Sequence, residues 1–384
     1  MHILIAPDSF KDSLTAEAVA NAIEAGFLEA GFFERFPKGI ITKLPVADGG
    51  EGTMPAMIAA MQGEILPVVV HDPLMRKITA NYGWVKSKRL AIIEMAESSG
   101  LMRLSTAERN PLVTSSFGTG ELILDALNQG ATSIILAIGG SATNDGGAGM
   151  LRALGAQLLD AKGESLPEGG AALRHLAKID LSQWDARLAH VQFDIACDVD
   201  NPLTGNAGAS AIFGPQKGAS NEDVRQLDQA LSHYADITAS TLGIDVRDNA
   251  GSGAAGGMGF AGNAFLQGRL KSGIEIVLDA VGFAQKVQQA DLVITGEGKI
   301  DAQSIYGKTP VGVAQLAKKY DKPVIAIAGN IGEGASLVYE KGIDALFSIT
   351  QRPEALEVSL LSARENIIAT SRNIARLWCL QTGV

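Results

Sequence analysis

The stretch HILIAPDSFKDSLTAEAVANAIEAGFLEA, residues 2–30, carries the unit from which much of the chain is built. HILIA (2–6) is a short apolar run closed by Pro7 and reads as a strand. PDSFKDS is polar and turn-forming and reads as a loop. From about Thr15 the period changes. Leu14, Ala18, Ala22 and Gly26, with Val19, Ile23 and Phe27 beside them, keep the i, i+4 spacing of one buried helical face. Thr15 or Ser13 can cap that helix.

The same strand–loop–helix unit recurs. ITKLPV (41–46) leads into ADGGEGT and a helix near 51–62, and SIILAI (133–138) leads into GGSATNDGG and a helix near 147–154. DLVI (291–294) precedes TGEGKID, and PVIAIA (323–328) precedes GNIGEG and another helix. ALFSIT (345–350) precedes a last helix that Pro353 can open. This alternation predicts an α/β fold with a doubly wound, mostly parallel, Rossmann-like sheet. Two stretches break the rhythm. Residues of about 65–99 hold three strand-like runs joined by turn signals, as in antiparallel pairing, and 154–285 are glycine-rich around one clear strand, VQFDIA (191–196). Residues 65–99 and 154–285 are therefore expected to form a second, inserted α/β domain. The first domain is then discontinuous over 1–64, 100–153 and 286–384.

Composition narrows the function. The 384 residues carry a formal net charge of -10, with 46% hydrophobic and 19% charged residues, which is globular rather than disordered. An acidic chain without Lys/Arg-rich runs argues against nucleic acid as a partner. Two cysteines, Cys197 and Cys379, make no disulfide framework, and the five histidines lie in no metal-binding pattern. The start of the chain has no basic region followed by a long apolar stretch, and no run approaches the ~20 apolar residues of a membrane span. A cytoplasmic protein with no membrane partner is expected, as monomer or homodimer.

Five polar, glycine-bearing segments follow predicted strand ends: APDSFK, ADGGEGT, GGSATNDGG, TGEGKID and AGNIGEG. One such loop can be a turn that merely needs glycine. Five together predict a ligand crevice beyond the carboxyl ends of a parallel sheet. GGSATNDGG (139–147) is the candidate phosphate cradle. Gly139, Gly140, Gly146 and Gly147 let backbone amides face an anion, Ser141, Thr143 and Asn144 add donors, and the next helix brings its positive dipole end. Asp145 does not suit a pure anion site and points to a metal ion or a substrate hydroxyl. GSGAAG (251–256) fits G-x-G-x-x-G but follows no convincing strand. IYGKTP (305–310) has only the tail of a Walker A motif, since Ala302 stands where the first glycine belongs, although Lys308 at a helix start can still touch phosphate.

The carboxylates say more. Asp48 and Glu51 share one tight loop, Glu297 and Asp301 another, and Asp198 with Asn201 follows VQFDIA. Acidic groups among glycines at strand ends suit Mg²⁺, or one accepts a proton from an attacking hydroxyl. The plain alternative is that some only cap helices, Asp48 above all. Lys11 and Lys217 stand in low-charge surroundings where each can neutralise a carboxylate or a transferring phosphoryl group. Asp198 is the candidate for orienting or deprotonating an acceptor hydroxyl, with Lys11 neutralising charge and Asp48 the next candidate base.

On these residues the chain resembles the class II (bacterial-type) glycerate kinase family. The resemblance is carried by APDSFKDSL (6–14), ADGGEGT (47–53), EMAESSGL (94–101), TSSFGTGELI (114–123), GGSATNDGGAGML (139–151), CDVDNPLTG (197–205), FGPQKGA (213–219), GAAGGMG (253–259) and DLVITGEGKIDAQSIYGKTPVGVA (291–314), in order over nearly the whole chain. It implies ATP- and Mg²⁺-dependent phosphorylation of D-glycerate to 2-phosphoglycerate, and a two-domain α/β fold with the active site in the interdomain cleft. On these segments ATP contacts are expected from Gly139, Gly140, Ser141, Thr143, Asn144, Gly296 and Lys308. Substrate contacts are expected from Ser9, Lys11, Ser115, Asn201 and Lys217, and metal contacts from Glu51, Asp145, Glu297 and Asp301. A kinase of another small hydroxy acid, or one forming 3-phosphoglycerate, is the near alternative. A hydroxy-acid dehydrogenase is more distant, because the first unit lacks a G-x-G-x-x-G.

Overall fold

The computed structural model describes residues 1–49, 52–353 and 355–381. The chain divides into two compact units. The first is Met1–Asp48, Pro55–Gln62 and Ile274–Val384, and the second is Gly49–Met54 and Gly63–Gly273. In chain order the strands are β1 (His2–Ile5), β2 (Ile40–Lys43), β3 (Glu64–His71), β4 (Lys77–Val85), β5 (Leu90–Glu94) and β6 (Ser133–Ala137). They continue with β7 (Gln157–Leu159), β8 (Lys178–Asp180), β9 (Gln192–Ala196), β10 (Arg269–Lys271), β11 (Leu292–Ile300), β12 (Val324–Ile331) and β13 (Ala345–Ser348).

The first unit is a five-stranded sheet in the order β13-β12-β11-β1-β2, parallel throughout. From the central pair β1 and β11 the chain steps outward both ways. It goes through the helix Ala16–Glu29 to β2, and through the helix Thr309–Lys318 to β12. Right-handed crossovers that run in opposite directions place their helices on opposite faces and create a topological switch point between β1 and β11. The first helix forms as its sequence directs. Thr15 accepts the Ala18 N–H at 3.2 Å, and Val19, Ala22, Ile23, Gly26 and Phe27 are buried. They pack with Ile3, Ile5, Ile294 and Ile367 in one core.

TGEGKI is not the expected loop, because β11 runs on to Ile300 in register with β12. A Cβ on Gly296 would come within 2.4 Å of the Ile327 carbonyl oxygen, so this glycine serves close strand approach rather than a turn.

The second unit holds a six-stranded sheet, β10-β9-β6-β5-β4-β3, and the small antiparallel pair β7–β8. The runs between 65 and 99 do pair antiparallel, as β3–β4–β5. Segment 100–153, expected in the first domain, lies in the second unit, whereas 274–285, expected in the second, lies in the first. The reason is β6, which is parallel to β5 on one side and to β9 on the other. Ile134, Ile135, Leu136 and Ala137 are all buried, and the apolar β5 supplies the matching neighbour. Ile134 and Leu136 share a core with Ile93, Leu122, Leu151, Phe193 and Tyr234. Among the described residues no helix is long and apolar enough to cross a membrane.

Candidate functional site

In the first unit the polar groups gather at the switch point. Asp8 lies just beyond β1, and its backbone N–H donates to the Gly296 carbonyl at 2.8 Å, extending the β1–β11 pairing. Its carboxylate accepts the Ser9 N–H at 2.6 Å and the Thr309 hydroxyl at 2.6 Å. Glu297, on β11, accepts the Ser304 hydroxyl at 2.8 Å, and the Lys308 Nζ stands 3.7 Å from its other oxygen. Lys308 is the N-cap residue of the helix Thr309–Lys318, so a positive dipole end and a cation lie beside two carboxylates.

Burial dominates their ionisation. It pushes Asp8 up to about 6, against the Thr309 hydrogen bond, with the nearby Asp48 charge adding to the rise. Burial also pushes Glu297 up to about 7, against Ser304 and Lys308, with Asp8 and Asp48 adding like charge. Lys11 is exposed on the same loop as Asp8, and the Ser9 hydroxyl stays local, 3.3 Å from Asp8 Oδ1. Asp301 is committed elsewhere, capping Gln303 at 2.9 Å and pairing with Lys299 at 2.8 Å. Glu51 lies outside the described residues.

In the second unit much of the glycine-rich loop turns inward. Asp145 is 1% exposed. Its carboxylate accepts the Ser116 N–H (2.8 Å) and hydroxyl (2.7 Å) and the N–H groups of Gly147 (3.2 Å) and Gly149 (3.1 Å). These four donors account for an acidic residue in a loop that looked built for anions. Thr143 and Asn144 are wholly buried, and the Asn144 amide donates to Ser210 at 2.9 Å. Gly256 packs behind them, its carbonyl accepting the Gly146 N–H at 2.9 Å, so GSGAAG braces this loop. Lys217, 1% exposed, donates to the Ser141 hydroxyl at 2.8 Å and the Thr143 carbonyl at 2.6 Å. Burial lowers its pKa to about 7, with the Asp145 charge opposing. Ser115 is buried too and donates to Glu168 at 2.6 Å.

What stays open to solvent is the front of the loop. Gly139 and Gly140 are exposed. Asp198 is exposed as well, one oxygen accepting the Gly273 N–H at 2.9 Å. Gly49 bridges the two: a Cβ built on it would lie 3.6 Å from Asp198 Oδ2, and its carbonyl is 3.9 Å from the Cβ position of Gly139. Asn201 donates its amide to the Ala207 carbonyl at 2.8 Å and shapes the turn beyond Asp198.

The expected residues thus fall into two groups. Ser9, Lys11, Asp48, Gly296, Glu297, Asp301 and Lys308 belong to the first unit, and Gly139 to Asp145, Ser115, Asp198, Asn201 and Lys217 to the second. Asp8 and Thr309 were not singled out from the sequence. The available signal was that Asp8 is the first charged residue past β1, but its weight depends on β11 being the neighbour, which needs the strand order. Among the described residues no group of three or more His, Cys, Asp or Glu is placed to hold a metal ion on its own.

A family model described as the glycerate kinase family matches residues 3–379. The chain is 53% identical over 375 residues to the glycerate kinase of Bacillus subtilis (strain 168), covering 98% of this chain and 97% of that one. It is equally 53% identical over 375 residues to the glycerate 2-kinase of Escherichia coli (strain K12), with the same coverage. A crystal structure from Salmonella typhimurium LT2, of a protein provisionally named glycerate kinase 2, superposes with a TM-score of 0.91 at 51% identity over 100% of both chains.

Proposed function

The chain belongs to the glycerate kinase family, and from that premise we propose that it moves the γ-phosphoryl group of ATP onto the 2-hydroxyl of D-glycerate, forming ADP and 2-phosphoglycerate. The observation that carries the residue assignment is the switch-point group. Asp8 and Glu297 are carboxylates made costly to ionise by burial first, with the Asp48 charge adding to both and the Asp8 charge to Glu297, beside Lys308 and a helix N-terminus. Hard oxygen donors of this kind fit Mg²⁺, which relies on one or two carboxylates together with phosphate oxygens and water rather than a protein-only cage. Asp8 and Glu297 would hold the ion, with Asp48 adding charge nearby. When bound, Mg²⁺ neutralises charge on the β- and γ-phosphates. Lys308 and the Thr309 N–H then receive phosphate oxygens at the positive end of the helix dipole, Pro310 having no N–H and the Val311 and Gly312 N–H groups being held by the Lys308 carbonyl, and Lys11 screens the transferring group.

In the second unit Asp198 orients the glycerate hydroxyl and takes its proton. The exposed Gly139 and Gly140, expected from the sequence to contact ATP, take the glycerate carboxylate in this reading because the phosphate end is assigned to the first unit, with Lys217 fixing their loop from behind through Ser141 and Thr143. Phosphoryl transfer asks little covalent chemistry of the protein, so positioned charge and an oriented hydroxyl suffice. The test is initial-rate ADP release with D-glycerate, L-glycerate and D-lactate as separate acceptors. Release that depends on D-glycerate and on Mg²⁺ supports the reading. Equal release with every acceptor and with none would make the chain an ATPase instead.

A further inference from the structure

A pocket of about 320 Å³ opens in the first unit beyond the carboxyl ends of the parallel strands. Phe10 from the β1 loop, Gly298 from β11, Asn330 from β12, Thr350 past β13, and Leu360 and Asn366 from the closing helices line it, with Lys11 beside them. Its size lies at the lower end of small-molecule sites, and its position is where open parallel sheets bind ligands. Of its lining residues only Lys11 takes part in the phosphoryl transfer proposed above.

Its relation to the carboxylate group is set by the strands. Gly298 follows Glu297, and alternation along a strand turns the two positions to opposite faces. Phe10 follows Asp8 by two residues on the β1 loop. The same two segments therefore border an acidic, metal-suited group at one position and an apolar, amide-edged pocket one or two residues later. A ligand that satisfies both has a flat apolar end and a polyanionic end. D-glycerate has no apolar face to set against Phe10 and Leu360. Asn330 and Asn366 each offer a donor and an acceptor, which suits the alternating edge of a purine, while Phe10 and Leu360 suit its faces.

We propose that this pocket receives the purine base of ATP, with the triphosphate passing over the β1 loop to Asp8, Glu297 and Lys308. The assignment rests on the kinase reading above and adds to it where the nucleotide is recognised.

Ser359→Trp, at another lining position, fills the space. Adenosine is the probe for the base and inorganic tripolyphosphate the probe for the phosphate end. In the unaltered protein adenosine should compete with ATP. In the variant adenosine inhibition should vanish and KM for ATP rise at least about tenfold, while tripolyphosphate affinity and KM for D-glycerate stay put. A folded variant with unchanged KM for ATP, or with a raised KM for D-glycerate instead, overturns the assignment. Should Ser359→Trp fail to fold, Asn330→Ala, at an exposed position, must weaken adenosine without weakening tripolyphosphate, and failure to do so is equally fatal. ADP release by the unaltered protein is read in the same assays. Turnover with an unshifted KM refutes the pocket alone, whereas no turnover refutes the kinase reading.

Discussion

Replacing Lys217 by methionine tests the inward-turned loop through its pH dependence. Burial drops the lysine from 10.5 to about 7, a shift that corresponds to about 5 kcal/mol between the two protonation states. The native protein then binds fewer protons than the unfolded chain between roughly pH 7 and 10.5, so this group makes stability rise with pH across that window. Below it the full cost of burying the charge is present, and above it that cost is gone. Methionine removes the charge but also two hydrogen bonds, each worth about 1 kcal/mol, and leaves the buried Thr143 carbonyl without its lysine donor at about 1–3 kcal/mol more. Near pH 6 loss and relief offset each other, so Lys217→Met should be close to neutral. Near pH 10 most of the relief has gone and the variant should be destabilised by on the order of 3 kcal/mol. Urea unfolding of both proteins at the two pH values measures the difference. A penalty that is the same at both would show that Lys217 is not buried as a costly charge.

Three further outcomes are expected. Glu297→Gln removes a carboxylate raised from 4.5 to about 7; the native state holds the extra proton in that window, so the unliganded protein should lose stability from pH 5 to pH 8 and the variant should lose less, by on the order of 1–3 kcal/mol. An identical pH profile in denaturant melts would contradict this, and activity should fall in either case. Gly296→Ala forces a methyl against the Ile327 carbonyl and should cost about 1–3 kcal/mol in the same melts, whereas an unchanged midpoint would mean the strands separate freely. Asp198→Asn keeps shape and removes charge, so kcat should fall roughly 10²-fold with KM for ATP retained; near-normal kcat with a raised Mg²⁺ requirement would make Asp198 a metal ligand and Asp48 the base.

The helix opened by Thr15 was legible because local spacing and a cap decide it. The antiparallel run β3–β5 was legible because its turns are short. Segment 133–138 was assigned to the wrong sheet because strand–loop–helix punctuation is the same whichever sheet a strand joins. Only its burial on both faces, between β5 and β9, decides the matter. TGEGKI looked like a loop because glycine is usually a turn residue, yet here it permits close strand approach. The loop at 139–147 shows the same ambiguity for function. Asp145 and Lys217 look like site residues in the sequence, and the structure places both inside the second unit with their hydrogen-bonding groups engaged. Asp8 needed strand order to be noticed at all.

The most direct measurement is the ³¹P NMR spectrum of the product formed from ATP, Mg²⁺ and D-glycerate. It should show ADP and the resonance of 2-phosphoglycerate growing together, with neither in the absence of Mg²⁺. Phosphate on the 3-hydroxyl would contradict the assigned acceptor, and a spectrum with no phosphoglycerate at all would contradict the kinase itself.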